Sequence, residues 1–226
     1  MKNNDLETFK KNVSWFIKPY DNVEINSTII SLDENFETEF PKLTQLVSKA
    51  RVSDLTIITK PYKLLAWDCK DGGICGWLNK FEPDTISDID IIPEHKLLLK
   101  NIGGIVESFN EPENTLSLNQ NFLFIKSQCS KGIGDWNEYY EMLCEEENLP
   151  QIDYSNFISF VQEANGALTL YDKNTNQVYL FSHDHSFENV DFLENQPQYT
   201  FHKIKGIQTF KDYVETLADQ WLEITV

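Results

Sequence analysis

The sequence predicts an α+β fold in which helices cover an antiparallel-rich sheet. Helical and β-prone segments mix without the regular strand–helix alternation that is typical of parallel sheets. Several β-prone segments are joined by short polar turns, which favours hairpins. The 226 residues are enough to bury a substantial core, and a composition of 41% hydrophobic and 13% aromatic residues argues against disorder.

Helical and extended patterns both occur before residue 90. Hydrophobic spacing of three and four residues predicts helices over Asp5 to Phe16 and Glu37 to Ala50. Alternation and β-branched residues predict strands over Val23 to Leu32, Leu55 to Thr59 and Lys63 to Trp67.

The segment Asp68 to Trp77 contains two cysteines around a glycine pair. Cys69 and Cys75 have five residues between them, which exceeds the gap of ordinary zinc knuckles, and no second Cys/His pair follows at suitable spacing. Asp71-Gly72-Gly73 is typical of a hairpin turn. We therefore expect a hairpin with core-filling cysteines and no metal. The polar stretch Asn79 to Asp90 is expected to be a loop, or a joint to the segment that follows.

The segment Ile91 to Phe109, here called the organising motif, has the clearest local signals. Pro93 suits the first turn of a helix, and Glu94 complements the positive end of the helix dipole. Gly103 and Gly104 predict the end of that helix, with Gly103 in a left-handed conformation. A strand is expected to follow, from its residues Ile105, Val106 and Phe109.

The middle of the chain predicts two paired strands, Thr115 to Leu118 and Phe122 to Ser127, and then a loop over Ser130 to Asp135. That loop lacks the Gly-Lys-Ser/Thr of a phosphate loop. Asp135 to Glu147 is expected to be a helix. It has an aromatic stripe of Trp136, Tyr139, Tyr140 and Leu143, and many glutamates.

The last third of the chain predicts helices at its two ends and strands between them. Tyr154 to Ala164 has an amphipathic helical pattern that ends at Asn165-Gly166. Thr209 is expected to cap a closing helix, with Asp212 acting as the acidic partner of a capping box. Between them we expect strands over Ala167 to Tyr171, Gln177 to Phe181 and Tyr199 to Ile204, and an irregular acidic stretch over Phe187 to Gln198.

His183-Asp184-His185 is the main candidate for chemistry. These residues could supply metal ligands or an acid–base pair. No third nearby His or Cys completes a metal site, and no serine or cysteine lies in a recognisable nucleophile elbow. A turn is the preferred interpretation, and the prediction is that the protein is not an enzyme and needs no cofactor.

Charge is the strongest compositional signal. The chain has 19 basic and 36 acidic residues, a net charge of −17, and the segment 135–226 alone has 17 acidic residues and 4 lysines. Such a surface repels nucleic acid and anionic lipid but attracts a basic protein. The alternative interpretation is that the charge serves only solubility.

The organising motif resembles the entry motif of the SUKH superfamily, which contains fungal cell-wall synthesis regulators and bacterial toxin-immunity proteins. The segment Gln177 to His185 is similar to that family's aromatic strand and His-Asp turn, and Thr209 to Leu222 is similar to its closing helix. The resemblance implies a central, mostly antiparallel curved sheet with helices packed to one side. It covers about residues 90–222, so we expect one domain (1–226) with a SUKH-like core (90–226) and an N-terminal helix–strand elaboration (1–89).

The resemblance and the charge together predict a cytoplasmic immunity protein, a monomer or homodimer, that blocks a basic toxin domain such as a nuclease. The alternatives are a regulatory or scaffolding protein with no toxin partner and, third, a hydrolase that uses His183, Asp184 or His185. The glutamates are either a solvated face or a binding surface. The residues predicted to bind the partner are Asp135, Trp136, Glu138, Tyr140, Glu141, Glu145, Glu146 and Glu147.

Overall fold

A computed structural model describes residues 4–113, 116, 120–184 and 189–226. Its strands are β1 Val23–Thr28, β2 Arg51–Ile57, β3 Lys60–Asp68, β4 Ile74–Lys80, β5 Gly104–Phe109, β6 Gln120–Leu123, β7 Phe157–Glu163, β8 Leu168–Asp172, β9 Val178–Phe181, β10 Val190–Phe192 and β11 Phe201–Ile204. Its helices are α1 Asn4–Asn12, α2 Glu34–Glu39, α3 Pro41–Ser48, α4 Pro93–Ile102, α5 Asn137–Glu147 and α6 Phe210–Ile224.

The described strands form one open antiparallel sheet. Its strand order follows the chain from β1 to β9, after which β11 and then β10 complete it. The pairing of β4 with β5 joins the first ninety residues to the rest, with Gly76 opposite Phe109. The α+β fold with helices packed against an antiparallel sheet is therefore confirmed.

Helices cover both faces of this sheet. Adjacent residues of a strand point to opposite faces, and Leu65 lies in the cluster that α2, α3, α4 and α6 cover, whereas Leu64 packs under α1. Likewise Tyr171 belongs to the first cluster, while Leu170 packs under α5. The expectation of helices on one side only is wrong.

Local signals placed several elements correctly. The helix of the organising motif begins at Pro93 and ends at Gly103, whose φ of 73° suits glycine. A Cβ on Gly103 would lie 2.6 Å from the carbonyl oxygen of Lys80, so the position excludes larger residues. At α6, Thr209 and Asp212 form the expected capping box. The hairpin at Asp71 to Gly73 and the strands β8, β9 and β11 are confirmed as well.

The helix predicted over Tyr154 to Ala164 is wrong, because this segment contains strand β7. β7 pairs with β6 and β8 and is buried on both faces, so its apolar run is continuous instead of alternating. A short run of this kind does not distinguish a central strand from a helix.

Other predicted boundaries also need correction. The helix expected over Glu37 to Ala50 is two helices that meet at Phe40 and Pro41. The first helix, expected to reach Phe16, ends at Asn12, and the first strand, expected to reach Leu32, ends at Thr28. The strand expected to reach Ser127 ends at Leu123, and the acidic stretch before Gln198 contains β10. The strand predicted over Thr115 to Leu118 lies, apart from residue 116, outside the described residues.

A buried histidine joins the organising motif to three other segments. The ring of His95 is fully buried, and its Nε2–H donates to the carbonyl oxygen of Phe124 at 2.6 Å. Its Nδ1 accepts from the Tyr171 hydroxyl at 3.2 Å, and the ring stacks on Phe210 with centroids 5.0 Å apart. The backbone N–H of Ile92 donates to the same hydroxyl at 3.4 Å, and burial of the ring lowers the pKa of His95 and so favours the neutral imidazole.

Acid should weaken the fold through His95. Burial lowers the pKa of His95 from 6.5 to about 4. The folded state therefore binds fewer protons than the unfolded state, and stability present above pH 6.5 is lost as the pH falls through the folded-state value. Between pH 6.5 and pH 4, we expect the free energy of unfolding to fall in both the wild type and His95→Gln. The fall should be larger in the wild type by on the order of 3 kcal/mol. Urea unfolding across this pH range measures the difference, and parallel profiles would contradict the account.

The turn between β2 and β3 predicts a stabilising substitution. Ile58 and Thr59 form this two-residue turn with φ of 47° and 71°, a conformation that β-branched residues resist. Asparagine followed by glycine adopts such a turn readily, so the double substitution Ile58→Asn with Thr59→Gly should raise the free energy of unfolding by about 1 to 3 kcal/mol. Thermal unfolding tests this. Unchanged or lower stability would show that the turn carries no strain.

Candidate protein-binding surface

Helix α5 carries most of the residues predicted to bind a partner. A single 3-10 turn over Gly134 to Trp136 leads into it, and Asn148 ends it in the left-handed conformation, with φ of 52°. The Asn148 N–H reaches the carbonyl oxygens of Cys144 and Glu145, and the Leu149 N–H also donates to the Cys144 carbonyl at 2.8 Å. Carbonyls that a helix end would leave unpaired therefore have partners. The three final glutamates therefore belong to an ordered helix and not to a frayed end.

Tyr140 attaches α5 to the sheet and is not an exposed anchor. Its side chain is fully buried, and its ring packs edge-on against Phe201 at 5.2 Å and Tyr154 at 5.6 Å. Its hydroxyl accepts from the Ile152 N–H at 2.9 Å and donates to the Gln196 side chain. The expectation that Tyr140 contacts a partner as an exposed aromatic is therefore wrong, because the aromatic stripe faces the core.

Trp136 is half-buried at the start of the helix. Its indole N–H donates to the carbonyl oxygen of Gly166 at 2.9 Å, and its ring stacks on His183 at 4.1 Å. A Cβ on Gly166 would lie 2.9 Å from the indole, so this glycine allows the close approach. Trp136 thus has a structural role, and only part of it is available to a partner.

The six predicted carboxylates all lie in solvent. Among the described residues, none of them has a Lys, Arg or His nitrogen within ion-pair distance. Several acids elsewhere are paired: Asp90, for example, contacts Lys173 at 2.7 Å and Lys96 at 2.9 Å, and these lysines lower its pKa to about 2. The six are Asp135, Glu138, Glu141, Glu145, Glu146 and Glu147.

Met142 lies on the solvent side of α5, beside Glu138 and Glu145, and was not predicted. Each helical residue advances about 100°, so position 142 points opposite the buried pair Tyr140 and Cys144. Met142 is 47% exposed, and its helical neighbours three and four positions away include Glu138 and Glu145. We call Met142 and the six carboxylates the α5 face. The burial pattern of the helix reveals the α5 face. Helical spacing in the sequence places Met142 on this face only once the side of α5 that packs on the sheet is known.

Burial and nearby negative charges raise the pKa of two tyrosines beside the α5 face. Burial raises the pKa of Tyr154, and the charge of Glu141 raises it further. Burial also raises the pKa of Tyr139, and the charges of Tyr199 and Asp184 raise it further.

The residues considered for catalysis have structural contacts. Nε2 of His183 lies 3.8 Å from Asp184, whose other oxygen accepts from Asn165 at 3.1 Å. The adjacent Ser182 is fully buried, and its hydroxyl donates to the backbone of Asp184. His185 lies outside the described residues. Within the described part of the chain, no three His, Cys, Asp or Glu side chains are grouped as a metal site would need.

No helix in the described ranges is long and apolar enough to cross a membrane. The four cysteines are buried free thiols, and burial raises the pKa of Cys69. A raised pKa disfavours the reactive thiolate.

Comparisons with family models, with curated proteins and with solved structures find no match for this chain. The resemblance to the SUKH superfamily therefore stays a prediction.

Tyr140 and Met142 should differ sharply in their effect on stability. Tyr140→Ala removes a buried ring and its hydrogen bonds and should lower the free energy of unfolding by about 3 to 5 kcal/mol. Met142→Ala, on the solvent side of the same helix, should change it by less than about 0.5 kcal/mol. Urea unfolding of both variants tests this assignment, and equal losses would show that α5 is oriented differently.

Proposed function

We propose that this chain is a non-enzymatic protein-binding domain, a cytoplasmic immunity protein that binds a basic toxin domain through the α5 face and blocks it. The observation that carries the proposal is the set of six exposed carboxylates that have no cationic partner among the described residues. Like charges held close on one helix repel each other, and a basic partner relieves that repulsion.

The position of Met142 supports binding over simple solubility. A solvated surface gains nothing from an exposed methionine, but protein interfaces are enriched in methionine at their centre and polar at their rim. The α5 face has this arrangement, with Met142 between Glu138 and Glu145 on neighbouring helical turns. Methionine is also flexible enough to fit an irregular apolar pocket.

The C-terminal end of α5 adds to the negative potential. Glu145, Glu146 and Glu147 lie where the helix dipole is itself negative, which costs helix stability. The presence of three carboxylates at this unfavourable position supports a surface whose function needs negative charge. A nuclease binds phosphate with lysines and arginines, and the glutamates would occupy such a site in place of phosphate.

The test co-expresses the product of the gene beside this one, as the candidate toxin, with wild type and variants. Glu141→Gln with Glu145→Gln removes two charges without changing shape and should weaken binding about tenfold, mainly through slower association. Met142→Ala should weaken it through faster dissociation. Growth in the presence of the toxin and surface-plasmon kinetics are the measurements.

The matched control removes two exposed charges elsewhere. Glu34→Gln with Glu37→Gln alters α2, which packs on the other face of the sheet, and should leave binding unchanged. If the α2 pair weakened binding as much as the α5 pair, net charge would explain the attraction and the α5 face would not. If the neighbouring gene encodes no protein that inhibits growth or co-purifies, the immunity function fails, and a regulatory or scaffolding role is the better account.

A further inference from the structure

Strand β1 exposes its outer backbone at one edge of the sheet. The carbonyl oxygen of Asn22 accepts from the Ile58 N–H at 3.1 Å, at the register in which Glu24 opposes Thr56. Backbone groups alternate along an antiparallel strand, so the even-numbered residues of β1 face β2. The N–H and C=O groups of Val23, Ile25 and Ser27 therefore point outward, and β2 is the only strand that pairs with β1 among the described residues.

β1 lacks the devices that normally protect an edge. It has six residues with one charge, Glu24, and it contains no lysine, proline or break in its register with β2. The opposite edge strand, β10, has only three residues, and Asp191 is at its centre. One edge is thus short and charged, whereas the other is long and almost neutral.

The charge distribution also favours association at the β1 end. Residues 1–80 contain 11 basic and 11 acidic residues, so the whole net charge of −17 comes from the rest of the chain. β1 to β4 belong to this neutral segment, while the α5 face lies over β7, β8 and β9. Surface charges more than about 10 Å apart are largely screened at ordinary salt concentration, so two copies can meet at β1 without strong repulsion.

We propose that a second copy of this chain pairs with β1 in antiparallel fashion about a two-fold axis, so that the two sheets become continuous. The outward groups set the register. Ile25 lies opposite Ile25 of the second copy, Val23 lies opposite Ser27, and six backbone hydrogen bonds form.

The side chains are complementary in this register. Glu24 lies opposite Asn26 of the second copy, so no two like charges face each other. Val23 and Ile25 are half-buried beside the α1 cluster and gain cover. Tyr20 and Ile29, 86% and 85% exposed, flank the two ends of β1, and the two-fold axis brings Tyr20 of one copy to the same end as Ile29 of the other.

Sedimentation velocity of the purified chain between about 1 and 100 µM tests the proposal. The wild type should be a dimer across the upper part of this range. Ile25→Lys places two lysines opposite each other and should give a monomer. Asn26→Lys is the matched control, since the new lysine lies opposite Glu24 of the second copy and should leave the dimer intact or tighter.

A second variant separates dimer loss from misfolding. Ser27→Pro removes an outward N–H from an exposed residue and leaves the bonds to β2, which edge strands tolerate. This variant should be monomeric, and a cooperative urea unfolding transition should show that it is folded. A wild type that is monomeric throughout the range would overturn the proposal, as would a dimer that survives both Ile25→Lys and Ser27→Pro. A strand from a different protein bound at β1 in place of a second copy would overturn it as well. None of these outcomes depends on the α5 face.

Discussion

The hydrogen bonds of His95 are the constraint on which the packing of α4 against the sheet and α6 depends. Burial of an imidazole costs free energy unless its ring nitrogens have hydrogen-bond partners. Phe124 and Tyr171 supply them from the segment after β6 and from β8, while Phe210 of α6 covers the ring. α4, two parts of the sheet and the closing helix are thereby fixed to each other through one side chain.

This constraint also explains an unusual backbone conformation. Phe124 has a φ of 64°, which costs energy for a bulky residue. Its carbonyl accepts from His95 at 2.6 Å, its N–H donates to the Phe160 carbonyl at 2.7 Å, and its ring stacks on Phe160 with centroids 5.9 Å apart. These contacts offset the strain and end β6, which explains why the expected longer strand stops at Leu123.

Sequence reasoning succeeded where the signal was local. Pro93, Gly103 and the Thr209–Asp212 capping box act on their own backbone, so their elements were placed to within a few residues. It failed where the answer lay in distant partners. β7 is a strand because β6 and β8 flank it, and Tyr140 faces the core because Phe201 receives it. Neither neighbour is visible from the sequence around these residues, and the same holds for the partners of His95.

The candidate site was half predictable for the same reason. Glutamates on a helix are exposed almost regardless of the fold, so the carboxylates of α5 were found from the sequence. Which apolar residue is exposed on the surface depends on which side of α5 faces the sheet. Because the aromatic stripe faces the sheet, Met142 is exposed in place of the expected aromatic anchors. The proposed function rests on charge and shape together, with α5 held against the sheet by Tyr140.

The salt dependence of association with the proposed toxin partner tests the central claim most directly. Binding through unpaired carboxylates should show an association rate that falls steeply as salt rises, with a dissociation rate that changes little. In Glu141→Gln with Glu145→Gln the slope of that dependence should be smaller. An association rate that does not respond to salt, or a slope that is the same in wild type and variant, would contradict the account.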